Sequence, residues 1–288
     1  MHVRSVALVS LAILGIGALA ACSPTDTKSD SPTVTSAAAN ACDVGSLKLH
    51  SPGQLTVATD NPAYEPWFAD NKPANGKGYE SAVAFAVAAK MGFSQDKVKW
   101  VSATFNTVIA PGPKNFDVDI NQVSISDERR KAVDFSTGYY DVAQAVISYK
   151  GSKIASAKSI ADLAGAKLGA QVGTTSYDTI VNTIKPSQKP AVFDTNDVAV
   201  QALKNKQIDG LVVDLPTGFY ITAAELDNGV IVGQLPVSNT PEQFGFVLDK
   251  GSSLTPCVSK AVDALRADGT LKKLQDQWLT SAGAPVLS

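Results

Sequence analysis

The chain has 288 residues, 44% of them apolar, and balances 25 basic against 27 acidic side chains. A formal net charge of −2 and a pI near 5.7 leave no basic surface for a nucleic acid. Two histidines, His2 and His50, are too few for a His-based metal site, and no cofactor-binding glycine loop, nucleophile elbow or His-paired nucleophile is present.

From the amino terminus, residues 1–21 read as an export signal, with Arg4 ahead of the apolar run 6–19. The run is short for a membrane-spanning helix. It closes on Leu19-Ala20-Ala21-Cys22, the order of a lipobox, in which cleavage leaves Cys22 as a lipidated amino terminus; a cysteine beside an ordinary cleavage site is the alternative. A lipidated Cys22 holds the protein to the outer face of a membrane. Residues 22–40 are dominated by Ser, Thr, Pro and Ala, too polar for a core and suited to a flexible tether. The body from residue 41 is large enough for two lobes and one cleft between them. Cys42 and Cys257 are the remaining cysteines, and export to an oxidising compartment predicts a disulfide between them rather than two free thiols.

Along the body, β-branched runs at 55–59, 98–101, 118–123, 143–149, 167–171, 210–214 and 244–248 predict strands. Apolar periodicity predicts helices over 80–91, 175–184, 197–205, 254–267 and 271–279, with Gly92 ending the first and Asp268-Gly269 separating the last two. Such alternation implies α/β lobes.

The segment Ser124-Ile125-Ser126-Asp127-Glu128-Arg129, followed by Phe135-Ser136-Thr137-Gly138-Tyr139, resembles the signature of the bacterial family 3 extracellular solute-binding proteins, the polar amino-acid receptors of ABC importers. Gly78-Tyr79-Glu80, Phe116-Asp117-Val118, Gly173-Thr174-Thr175, the run 208–214 ending in Asp214, and Asp268-Gly269-Thr270-Leu271 with Trp278 are similar to further family segments in the same order; Ala82 stands where a second acid is usual. The resemblance implies a two-lobed, type II periplasmic-binding-protein-like α/β fold. Lobe one would be discontinuous, 41–140 plus 244–288, and lobe two would be 141–243 with hinge crossings at its ends, near 141–144 and 237–243. The disulfide would then lie within lobe one. The partners implied are a free amino acid, an ABC permease and, through the lipid, the membrane, with the receptor acting as a monomer.

The resemblance also implies site residues. In the family the arginine grips the ligand's α-carboxylate, a role its planar, permanently charged fork suits; Arg129 takes it here, assisted by Ser124 and Thr175. Read without the resemblance, 127–131 is a solvated charged turn and Thr174-Thr175 a helix cap. Asp214, at a strand's carboxyl end, would receive the ammonium group; locally it reads equally as a cap before Leu215-Pro216. Tyr64 and Trp67, in the loop after the first strand, could wall the ligand side chain or pack on their own lobe. Alternation along 118–124 places Gln122 beside Ser124 at the ligand, and Asp119 and Asn121 on the other face, with Asp119 paired to a nearby Lys or Arg.

The preferred reading is a binding protein without catalytic chemistry. The alternative is a dehydratase of prephenate-like acids on the same fold, for which Asp119 or Glu65 is the available proton donor; a sensor module would share every ligand residue.

Overall fold

The computed structural model describes residues 42–237, 240–279 and 283–288. The export signal, the tether and Cys22 lie outside the described residues, as do Ser238 and Asn239 of the second predicted crossing.

Two mixed sheets, each with helices on both faces, form two lobes. The first contains β1 (Leu55–Thr59), β2 (Val98–Ser102), β3 (Val118–Asp119), β4 (Val133–Phe135) and β12 (Val247–Asp249), in the order β2-β1-β3-β12-β4. All five residues of β1 are buried, as expected for a strand with parallel neighbours on both sides and helices on both faces. Alternation along it feeds two cores: Val57 packs with α1 (Tyr79–Lys90), α6 (Thr255–Ala267) and α7 (Thr270–Trp278) on one face, and Ala58 with Phe105 and Val108 of α2 (Phe105–Ile109) on the other. The helix α1 starts at Gly78, whose φ is 93° and where a Cβ would lie 2.4 Å from the Trp67 carbonyl oxygen, so only glycine allows this approach. Cys42 and Cys257 are joined by a disulfide that ties the start of the body to α6.

The second sheet runs β10-β6-β9-β7-β8, built from β6 (Gln144–Tyr149), β7 (Leu168–Gln171), β8 (Ala191–Phe193), β9 (Gly210–Asp214) and β10 (Gly229–Gln234). Val146 and Val212 face one apolar cluster, Ile147, Leu211 and Val213 the other. Its flanking helices are α3 (Thr175–Thr179), α4 (Asn196–Lys204) and α5 (Leu215–Tyr220); α3 and α5 each widen into a π-turn, Ile180–Ile184 and Ile221–Glu225. Between the sheets, β5 (Tyr140–Val142) and β11 (Glu242–Phe244) pair antiparallel.

Two features differ from the sequence reading. The strand predicted over 118–123 ends at Asp119 in the ladder, because Gln122 takes a left-handed backbone, φ 49°, that an extended strand cannot contain. The carboxyl-terminal residues 283–288, assigned with 244–288 to lobe one, return to the second sheet: Gln234 N–H donates to the Pro285 carbonyl at 2.8 Å, Leu287 N–H donates to the Gln234 carbonyl at 2.9 Å, and Leu287 is fully buried in the second lobe's core. The apolar side chain of Leu287 finds there a slot over Gly233, where a Cβ would lie 2.7 Å from Leu287 itself.

Candidate functional site

A pocket opens between the lobes, beyond the carboxyl ends of β1, β3, β7 and β9, where open α/β sheets bind ligands. Asp60, Tyr64, Phe105, Asn121, Gln122, Ser124 and Arg129 line it from the first lobe, and Gln171, Thr174, Thr175, Ser176, Asn196, Asp214 and Thr217 from the second. The lobes touch around it. Arg129 Nη2 donates to the Gly173 carbonyl at 2.9 Å, Trp67 Nε1 to Thr217 Oγ1 at 2.9 Å, and the Ser124 and Thr175 hydroxyls are 3.4 Å apart.

The charged run around Arg129 forms a 3-10 turn, Arg129–Lys131, in which Glu128, Arg130 and Lys131 are exposed and Arg129 is buried. A single turn thus separates one inward guanidinium from its solvated neighbours. Arg129 Nη1 donates to the Ser124 carbonyl at 2.6 Å, and the guanidinium carbon lies 5.3 Å from the centre of the Phe105 ring. These contacts fix the fork over an aromatic face and leave further N–H donors for the pocket. Burial lowers the Arg129 pKa from its ordinary value, while Glu242, Asp214 and Asp178 oppose that shift; a guanidinium stays charged.

Asp214 closes β9 and starts α5, yet its side chain makes no capping bond. Instead Gln144 Nε2 donates to Asp214 Oδ1 at 2.8 Å and reaches Glu242 Oε2 at 3.2 Å, while Gln144 Oε1 accepts from Ser176 at 2.7 Å. Burial raises the Asp214 pKa well above 3.8, Glu242 adds to the rise, and Gln144 and Arg129 counter it. Asp214 and Arg129 therefore face one pocket from different lobes with no hydrogen bond joining them. Thr174 is a true N-cap, accepting from Tyr177 N–H at 3.2 Å, so capping falls to Thr174 and the Thr175 hydroxyl is left facing the pocket.

On the first lobe, Asn121, Gln122 and Ser124 all reach the pocket. Asn121 was expected on the opposite face; the left-handed residue at 122 breaks the alternation that placed it there. Glu80, in the first turn of α1 and fully buried, accepts from Gln122 N–H at 2.8 Å and from Gln122 Nε2 and the Tyr139 hydroxyl. Burial raises its pKa from 4.5 to about 7, against the pull of these three donors.

Tyr64 lines the pocket as expected, but Trp67 does not: it is 0% exposed, edge-on to Tyr79, Tyr140 and Phe244. A large apolar ring next to a core this aromatic gains more from burial than from walling a cleft. Asp119 is paired with neither Lys nor Arg; both its carboxylate oxygens are buried without a hydrogen bond, and desolvation, reinforced by Glu80 and Asp60, raises its pKa well above 3.8. The nearby Lys114 turns its ammonium to the Thr107 and Ala110 carbonyls instead. Neither Asp119 nor Glu65, the two candidate proton donors, lines the pocket. The sequence reading passed over Asp60, Phe105, Gln144 and Glu242. Asp60 could have been found, since it follows directly on β1; Phe105, Gln144 and Glu242 carry no local signal.

The sequence profile of the bacterial extracellular solute-binding proteins, family 3, matches residues 55–281. A probable histidine-binding protein of Campylobacter jejuni is 30% identical over 72% of this chain and 78% of its own length. The ABC transporter glutamine-binding protein GlnH of Bacillus subtilis is 29% identical over 74% of this chain and 77% of its own. Among solved structures, an ancestral arginine-binding protein bound to glutamine superposes with a TM-score of 0.66, at 32% identity over 80% of this chain and 99% of that one.

Proposed function

Because the chain belongs to the bacterial extracellular solute-binding proteins of family 3, we propose that it captures a free polar amino acid outside the membrane and delivers it to an ABC importer. The observation that carries this reading is the pair Arg129 and Asp214, opposite charges held on opposite lobes of one pocket with no bond between them. A zwitterion fits between such a pair: its carboxylate meets the guanidinium with the Ser124 and Thr175 hydroxyls, and its ammonium meets Asp214. Burying both charges requires partners for each, and the pocket supplies one from each lobe. With those two charges matched, Asp60, Asn121 and Gln122 remain, beside Tyr64 and Phe105, for the side chain. Asp60, which only accepts when ionised, and the amide oxygens of Asn121 and Gln122 beside aromatic walls suit a side chain that carries hydrogen-bond donors.

In this reading lobe one is 41–140 with the chain from 244 as far as α7, and lobe two is 141–243, completed by residues 283–288. The paired β5 and β11 form the hinge, and ligand contacts to both lobes favour the closed state. Cys22 carries the lipid that keeps the receptor, a monomer, on the outer face of the membrane near its permease; mass spectrometry of membrane-extracted protein finds a modified amino-terminal Cys22 if this is right, and an unmodified, soluble mature chain starting elsewhere removes it.

A thermal-shift screen against the common amino acids tests the class, because a ligand that binds only the folded state raises the melting temperature. At least one L-amino acid gives a clear rise and its α-amide gives none. Turnover of prephenate without any amino-acid response would overturn the reading in favour of the dehydratase.

A further inference from the structure

The pocket's first-lobe side depends on a backbone conformation that its own residue disfavours. Gln122, at φ 49°, lies in the left-handed region, where a side chain with a Cβ is strained and glycine is not. Something must hold it there. Glu80 takes the Gln122 N–H on one carboxylate oxygen, at 2.8 Å, and the Gln122 side-chain amide on the other. A single fully buried group thus grips main chain and side chain of the same residue. Glu80 is itself anchored, by the Tyr139 hydroxyl and by its place in α1, whose buried face packs into the first core. The stretch just after Gln122 carries the ligand groups: Ser124 lines the pocket and its carbonyl receives Arg129 Nη1. The direction of the chain at 122 therefore decides where the 121–124 segment, and the guanidinium resting on it, point.

We propose that Glu80 is a positioning residue, whose carboxylate holds Gln122 in the left-handed conformation and so presets the first-lobe half of the ligand pocket before any ligand arrives. This rests on the reading that the pocket takes an amino acid. Glu80 touches no ligand in it; it acts through Gln122. Strain of this kind persists only where surrounding contacts over-determine it, and the double grip supplies them.

A double-mutant cycle between positions 80 and 122 tests the proposal, with affinity read by calorimetric titration of L-arginine, L-histidine and L-glutamine. Glu80→Leu keeps the volume and removes both acceptors; it should weaken binding about tenfold or more. In the Gln122→Gly background, where glycine adopts the conformation unaided, the further effect of Glu80→Leu should shrink below about twofold. A folded Glu80→Leu protein that binds like the parent overturns the proposal. So does an equal loss in both backgrounds, which would make Glu80 a packing residue only. Should Glu80→Leu fail to fold, the comparison moves to position 122: Gln122→Val, β-branched and unable to adopt this backbone cheaply, should bind about tenfold or more weaker than Gln122→Gly, and equal affinities would refute the idea. Should the parent bind none of the three amino acids, the functional reading fails for them, and NMR of the empty protein still decides the positioning role. The carbon shifts and amide coupling of Gln122 report a left-handed residue in the parent and an extended one in Glu80→Leu or, failing that, Gln122→Val; a left-handed residue retained in the variant sinks the proposal.

Discussion

On the second lobe's side of the pocket the ligand-facing groups stand where regular elements stop or start, Asp214 at the last position of β9 and Thr175 at the first of α3. On the first lobe's side Asn121, Gln122, Ser124 and Arg129 hang on an irregular stretch between β3 and β4, held by a carboxylate from a different helix. The difference extends below the surface. The first lobe buries Glu80, Asp117 and Asp119 almost completely, whereas the fully buried polar groups of the second are neutral amides and hydroxyls such as Gln144, Ser148 and Ser176. One lobe presents its groups at the ends of regular elements, the other on an irregular stretch held by a buried carboxyl group, so the two should respond differently to mutation and reduction.

The largest effect tests the pocket where both lobes contribute equally. Arg129→Ala and Asp214→Ala should each weaken amino-acid binding by about 2 to 5 kcal/mol, because either change leaves the other charge, and its ligand group, buried and unpaired. Calorimetry on the two variants measures this; a folded Arg129→Ala protein that binds like the parent would show that the carboxylate is held elsewhere. Next comes the covalent tie that, among the described residues, only the first lobe carries. Cys42 and Cys257 are 215 positions apart, and opening so long a loop should cost about 2 to 5 kcal/mol of stability. Denaturant titration with and without reductant would show no such loss if the bridge were idle.

The pH response of the first lobe centres on Glu80. The Glu80 pKa is about 7 in the fold against an ordinary 4.5, so the folded state holds this proton more tightly than the unfolded one. Its contribution to stability is complete below pH 4.5 and is lost as the pH rises to 7, by roughly 3 kcal/mol. Glu80→Gln should flatten the stability curve across that interval, leaving the residual slope of Asp117 and Asp119 on the first lobe and Asp214 on the second, whose shifts have the same sign. Urea titrations at pH 4.5 and 7.5 read the difference, and an unchanged slope contradicts the assignment. On the second lobe the corresponding loss is local and small: Thr174→Ala removes the cap on α3 and should cost about 1 kcal/mol, with little dependence on pH. Smallest of all is Arg130→Ala, adjacent to Arg129 but exposed, which should change affinity by well under about 1 kcal/mol.

The same contrast governs how much could be read from the chain. Both β1 and β9 coincide with their predicted spans, and α1, α4, α6 and α7 agree within one residue, because continuous apolar runs and amphipathic periods report buried elements directly. The element ends that carry Asp214 and Thr175 were legible for that reason, while their place at the pocket came from the resemblance, since locally both read as helix caps. Arg129 was legible through its motif, since periodicity alone would have left it in solvent. Asn121 was misplaced by an alternation that Gln122 interrupts, and the interruption is imposed by Glu80, 42 positions earlier. For Trp67 the loop left pocket wall and core packing both open; the cluster that buries it, Tyr79, Tyr140 and Phe244, is assembled from distant segments. Short strands such as β8 and β5 escaped because three residues carry no period. Tertiary contacts set these positions, and local pattern holds no trace of them.

The return of residues 283–288 to the second sheet bears on how far the lobes are separable. Leu287 belongs to a core otherwise drawn from residues 146–235, so a fragment cut at β5 and β11 would leave that core with a vacant side-chain slot beside Gly233. Emptying a buried leucine site costs about 2 to 5 kcal/mol, a large share of what a lobe of this size has to spare. The second lobe is thus an insertion by chain order but not a self-contained module. Any graft, permutation or recombination that moves it between members of the family must carry the last six residues with it.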